Sequence, residues 1–140
     1  MTPRALAALH ARCFEPPLAW SADSFEGLLR SPGVTLLAEG HSAFALVRIV
    51  ADEAELLTIA TDPGFRRQGL GRLLMDRIEQ HARSHGARVV HLELAEDNSA
   101  ALALYLACGF APVGRRPGYF RNRFGHPVDA LLLSRTLPRA

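Results

Sequence analysis

The chain has 140 residues, about half of them apolar, and 16 basic side chains against 14 acidic ones give a formal charge of +2. That length suits one domain with a real hydrophobic core, and the small positive charge tolerates an anionic ligand but falls well short of a nucleic-acid footprint. Cys13 and Cys108 make no disulfide framework, and no apolar stretch approaches the roughly 18 residues of a membrane span, so we expect a cytoplasmic protein with no membrane partner and no direct nucleic-acid partner.

The opening Met1–Leu9 superficially suits a signal peptide. His10 and Arg12 interrupt it, however, and Leu6, Leu9 and Cys13 fall at helical spacing, so a helix is predicted over Pro3–Cys13. Pro16-Pro17 follows it. Ser21 is a candidate N-cap, with Asp23 in the first turn, for a second helix running to about Arg30 and ending before Pro32-Gly33. Three strands come next, Val34–Glu39, Ala43–Ala51 and Glu55–Thr61, separated by turns at Gly40-His41-Ser42 and Asp52-Glu53.

The pattern then alternates between helix and strand. Leu70, Leu73, Leu74, Ile78 and Ala82 form an apolar stripe at a 3.6-residue period, and Gly86 is placed to end that helix. Arg88–Leu94 reads as a strand. Asn98 caps a short helix, Ala100–Cys108, which Gly109 ends. Phe110–Gly114 and Val128–Arg135 are the last strands, joined by a basic, aromatic loop. The expected architecture is α/β with a mixed sheet, an antiparallel meander first and a helical crossover after it.

The most informative segment is Arg66-Arg67-Gln68-Gly69-Leu70-Gly71. It follows the apolar run Leu56–Thr61 and the turn Asp62-Pro63-Gly64, and it opens a helix. Unpaired backbone N–H groups and the positive end of the helix dipole suit a phosphate there, and the arginines add directional donors. A Walker A loop needs Lys-Ser/Thr after its last glycine, whereas Arg72-Leu73 stand here and the chain has no lysine. A dinucleotide fingerprint needs Gly or Ala where Leu74 stands.

Two further segments carry candidate chemistry. In Arg88-Val89-Val90-His91-Leu92-Glu93-Leu94, alternation puts Val90, Leu92 and Leu94 on one face and Val89, His91 and Glu93 on the other. Glu93, a carboxylate near the end of such a strand, is either a solvent-facing strand residue or one held there for a function. Tyr105, on the helix after Asn98, reads from the residues alone as a core aromatic. His81 and His85 lie at i, i+4, but the Glu of H-E-x-x-H and a third ligand are lacking, so no metal site is expected. Cys108 lacks an acidifying partner and reads as a small core residue.

Arg66-x-x-Gly69-x-Gly71 resembles motif A of the GNAT family of acyl-CoA N-acyltransferases. Asn98-x-x-Ala101-x-x-Leu104-Tyr105-x-x-x-Gly109-Phe110 resembles that family's motif B at every fixed position. Ala54–Pro63, Arg67–Arg72, Leu92-Glu93-Leu94, Phe14 with Trp20-Ser21, Arg116–Phe120 and Asp129-Ala130 are similar to the ribosomal-protein-alanine N-acetyltransferase (RimI-type) subfamily. The resemblance implies a GNAT fold and acetyl-CoA as co-substrate. It implies that the amides of Arg66, Arg67, Gln68, Gly69, Leu70, Gly71 and Arg72 hold the pyrophosphate. Ile59, Ala60 and Thr61 would pair with the pantetheine arm and Asn98 would contact it. By the same resemblance Glu93 is the proton acceptor and Tyr105 the proton donor.

Two departures stand out. The family usually begins with a strand before its first helix, and Met1-Thr2-Pro3 leaves almost no room for it, so the sheet lacks that edge strand or a partner covers the edge. Phe120 replaces a second Tyr common in the subfamily, removing a hydroxyl from the presumed substrate loop.

The basicity of the acceptor bears on the substrate. An α-amine titrating near 7.7–8.0 is roughly 10–20% free base near neutrality, against about 0.1% for lysine, so a glutamate is an adequate base for the former. A phenol near 10 protonates a thiolate uphill by roughly 2 kcal/mol, which favours Tyr105 as a hydrogen-bond donor to the leaving sulfur. The expected activity is direct acetyl transfer to a protein N-terminal α-amine, possessed by a ribosomal protein in this subfamily, by a monomer or homodimer. The alternatives are acetylation of a small amine or a lysine side chain, and a non-catalytic CoA-binding module. The loop Arg115–His126, with four arginines, Tyr119, Phe120 and Phe124, either grips a peptide N-terminus or ribosomal partner or is a solvated hairpin loop.

Overall fold

The computed structural model describes residues 1–138. Its elements are α1 (Pro3–Cys13), α2 (Ala22–Arg30), β1 (Val34–Glu39), β2 (Ala43–Val50), β3 (Glu53–Thr61), α3 (Leu70–Ser84), β4 (Val89–Ala95), α4 (Ser99–Ala107), β5 (Ala111–Arg121) and β6 (Pro127–Thr136). Each of the first two helices starts on a hydroxyl cap: Thr2 accepts from the Ala5 N–H at 3.1 Å and Ser21 from the Ser24 N–H at 3.1 Å. Among the described residues no strand precedes α1, and β1 forms one edge of the sheet.

The sheet is mixed, in the order β1-β2-β3-β4-β6-β5. β1, β2 and β3 are an antiparallel meander, β3 and β4 are parallel, and β4, β6 and β5 are antiparallel again. Helices cover both faces. Leu74, Met75, Ile78 and Ala82 of α3 and Tyr105 of α4 pack on one side; Leu6 and Leu9 of α1 and Phe25 of α2 pack on the other. β2 serves both layers, with Ala43, Ala45 and Val47 facing α3 and Phe44 and Leu46 facing α1 and α2. This is why its sequence is apolar without alternation.

A bulge in β3 controls what the sheet presents. Leu46 pairs with Thr58 but Val47 pairs with Leu56, so Leu57 is the extra residue. Before the bulge, Ala54 and Leu56 face the α3 layer; after it, Ala60 faces the α1–α2 layer and Ile59 faces α3. One inserted residue thus reverses the alternation and turns Thr58 toward α1.

Two expectations need correcting. Leu73 does not belong to the buried stripe of α3: it is 44% exposed, and Met75 takes its place in the core. The segment predicted as a long loop is mostly strand, since β5 runs to Arg121 and only the tip around Asn122–His126 turns. Pro117 and Gly118 hide that strand in the sequence. The ladder accommodates them by a register break between Arg116 and Phe120, where Gly118 takes φ +62°.

Candidate active site

β3 and β4 pair only from Glu53↔Val89 to Leu56↔Leu92. Beyond that point they separate, leaving the β4-facing edge of Leu57–Thr61 without a strand partner. A cleft of about 730 Å³ opens there, lined by both strands, α3, α4, the α1–α2 connection and the β5–β6 hairpin.

Most of the residues singled out in the sequence meet in this cleft. Ile59, Ala60, Thr61, Arg66, Arg67, Leu70 and Gly71 line it, as do Glu93, Asn98 and Tyr105. Gln68, Gly69 and Arg72 lie outside the lining.

The phosphate-type loop has the local geometry of an anion cradle. Arg67 has φ +63° and Gly69 has φ +78°, and a non-glycine residue held there costs on the order of 1 kcal/mol, a strain typical of ligand clamps. No side chain caps α3 at Gly69, so the first-turn N–H groups that a helix leaves unpaired stay available to an anion. The approach to the loop is fixed by Asp62, which accepts from the Gly64 N–H at 2.9 Å and pairs with Arg12 at 2.6 Å.

Across the cleft, Asn98 caps α4 by accepting from the Ala101 N–H at 3.2 Å. Tyr105 is 5% exposed, and burial, followed by the neighbouring Cys108, pushes its phenol well above the ordinary value. It therefore stays protonated at physiological pH and is a donor. Glu93 is only 29% exposed at its side chain, and its Oε1 lies 3.4 Å from Nη2 of Arg116 on β5. Cys108 lies in the α3-side core, its thiol pushed up mainly by burial.

The opposite wall leaves little sign in the sequence. His10 of α1 is 1% exposed and lines the cleft. Its Nδ1 accepts the Trp20 N–H at 3.1 Å, so the ring proton sits on Nε2 and is donated to Thr58 Oγ1 at 3.0 Å. The ring stacks on Phe14 at 4.2 Å and on Trp20 at 5.1 Å. Burial lowers its pKa to about 4, so it is neutral and serves as a fixed post for the α1–α2 connection. The available signal was position: His10 falls on the same helical face as Leu6, Leu9 and Cys13. Cys13 donates to the Thr61 carbonyl at 3.2 Å, docking the end of α1 beside the open edge of β3.

The Acetyltransferase (GNAT) family profile matches residues 6–110. The chain belongs to the GNAT acetyltransferase family. This acetyltransferase is 36% identical over 118 residues to the [ribosomal protein bS18]-alanine N-acetyltransferase of Salmonella typhimurium, covering 82% of the chain and 79% of that protein. It is 37% identical over 125 residues to the N-alpha-acetyltransferase RimI of Mycobacterium tuberculosis, covering 82% and 76%. The crystal structure of the ribosomal-protein-S18-alanine N-acetyltransferase from Escherichia coli superposes with a TM-score of 0.86 at 30% identity, over 99% of this chain and 89% of that one.

Proposed function

We propose that this acetyltransferase transfers an acetyl group from acetyl-CoA directly to the N-terminal α-amine of a protein, of the ribosomal-protein-alanine type. The observation that carries the proposal is the split between β3 and β4, with a carboxylate and a buried phenol on its β4–α4 side and an uncapped helix N-terminus at its mouth. The similarity to bS18-alanine N-acetyltransferases supports the choice of acceptor.

The residues present fit acetyl-CoA. The strained loop Arg66–Gly69 and the free amides of α3 suit a pyrophosphate. The open edge of Leu57–Thr61 suits an extended amide-bearing arm, which it would hold as an added strand. Bound there, acetyl-CoA supplies an activated thioester carbonyl. Main-chain N–H groups along that edge would be placed to stabilise charge on the thioester oxygen, a strong catalytic device.

Glu93, at the split, accepts the proton that the ammonium must lose, directly or through one water. Tyr105 hydrogen-bonds the departing sulfur; its raised pKa makes full proton transfer steeper and leaves donation as its part. Phe14, Trp20 and Phe120 wall the cleft.

The test is mass spectrometry of Ala-initiated peptides incubated with enzyme and acetyl-CoA, beside lysine-containing peptides with a blocked N-terminus and small amines. An acetyl group on the α-amine is expected. Acetylation confined to small amines or lysine side chains would overturn the acceptor assignment while leaving the acetyltransferase activity intact.

A further inference from the structure

The geometry points to Arg116 as the residue that reads the first carbonyl group of the acceptor peptide, and so distinguishes a peptide α-amine from a lysine or alkyl amine. This inference rests on the N-terminal reading above and names the side chain that would enforce it.

Arg116 is supported by an aromatic pair and by the backbone beneath it. Its guanidinium lies over the Tyr119 ring at 4.7 Å, within cation–π range. Tyr119 meets Phe120 edge-on at 5.1 Å, and Phe120 lines the cleft. The backbone beneath is pinned at the register break: Arg116 pairs with Ala130 and Phe120 with Val128, so Pro117, Gly118 and Tyr119 all face Asp129 alone. Asp129 Oδ1 accepts from the Gly118 N–H at 2.8 Å, and its Oδ2 accepts from Arg115 at 2.9 Å. Both contacts, the Gly118 N–H first, hold the Asp129 carboxyl below its usual range, so the clamp is charged. A bulge fixed in this way commonly re-aims a side chain beside a functional site.

Despite that support, the donors of Arg116 are not spent. Its contact with Glu93 is 3.4 Å and lacks hydrogen-bond alignment, and among the described residues the guanidinium donates to no other group. A half-exposed fork of N–H donors, just outside the cleft lining, therefore sits beside the proposed base with no hydrogen bond to another described residue.

The chemistry of a peptide N-terminus matches this spacing. The α-nitrogen and the carbonyl oxygen of the same residue are three bonds, roughly 3 Å, apart. A nitrogen hydrogen-bonded to Glu93 brings its carbonyl oxygen within reach of a guanidinium 3.4 Å from that carboxylate. The ε-amine of lysine and a plain alkyl amine carry no carbonyl at that distance. Arg116 is thus a specificity residue.

The experiment compares wild type with Arg116→Met and Arg116→Lys on an Ala-initiated peptide and on its E-alkene isostere, in which the first peptide bond loses its carbonyl. Wild type is expected to lose roughly tenfold or more in kcat/KM on the isostere, the scale of one charge-assisted hydrogen bond. Arg116→Met is expected to lose about the same on the normal peptide, mostly in KM, and to show a clearly smaller isostere penalty than wild type. Arg116→Lys should recover part of the preference. Unchanged acetyl-CoA binding reports that the variants are folded. The alkene also makes the amine more basic, so the readout is the difference between proteins: an isostere penalty as large in Arg116→Met as in wild type overturns the inference. So does a fall in peptide KM, which would make Arg116 a competitor for Glu93. If wild type acetylates neither peptide but does acetylate an alkyl amine, the N-terminal reading fails first and Arg116 loses its assigned ligand with it.

Discussion

Replacing His10 with Gln is expected to flatten the acid limb of the protein's stability curve. His10 is neutral in the fold with a pKa of about 4, while an unfolded histidine titrates at 6.5. As pH falls through that interval the unfolded state takes up a proton that the folded state refuses, so stability is complete above about pH 6.5 and drains away toward pH 4. The full gap is worth about 3 kcal/mol, of which about 2 kcal/mol falls between pH 7 and pH 4.5. Because Nδ1 and Nε2 are both engaged, by Trp20 and Thr58, protonation also forces the Trp20 N–H to give up its acceptor. Urea titrations at pH 7 and pH 4.5 measure the difference. The Gln variant starts less stable, having lost the ring stacking on Phe14, but its stability should fall by about 2 kcal/mol less over the interval. Parallel pH dependence in the two proteins, or a His10 titration by NMR above pH 6, would refute the reasoning.

Four other outcomes are expected. Glu93→Gln should lower kcat/KM by about 10²–10⁴ with acetyl-CoA affinity unchanged, as read by steady-state kinetics and calorimetry. Tyr105→Phe should lower kcat on the order of 10² and spare acetyl-CoA binding; unchanged turnover would remove Tyr105 from the mechanism. Asn98→Ala should cost α4 its cap, about 1 kcal/mol in a urea titration. Gly33→Ala should destabilise by about 2–4 kcal/mol, because a Cβ there stands 2.3 Å from the Ile49 carbonyl oxygen at φ +77°. Turnover per folded molecule should not change in that variant.

The elements most legible in the sequence were those whose identity is local. Asn98 caps α4 because its side chain reaches an amide three residues on, and the alternation of β4 separates Val90, Leu92 and Leu94 from Glu93 without help from elsewhere. The loop before α3 announced itself by glycine and arginine at a strand-to-helix junction. What stayed hidden depends on partners distant in the chain. His10 looks like an interruption of an apolar helix until Thr58 and the Trp20 amide satisfy both its nitrogens. Thr58 reaches it only because Leu57 is bulged, and a bulge leaves no mark on composition. The arginines, Pro117 and Gly118 of β5 read as loop because their strand is an edge broken in register and held by Asp129, a residue of the next strand.

The parting of β3 and β4 also has a thermodynamic side. Polar main-chain groups along Leu57–Thr61 face a cleft instead of a neighbouring strand. A molecule that completes the ladder is bound by the folded chain alone, so occupancy and folding are linked. At a free concentration a thousandfold above its dissociation constant, such a ligand adds about 4 kcal/mol to the stability of the fold. The protein is accordingly least robust when its donor is scarce, and its melting temperature becomes a gauge of how full the cleft is.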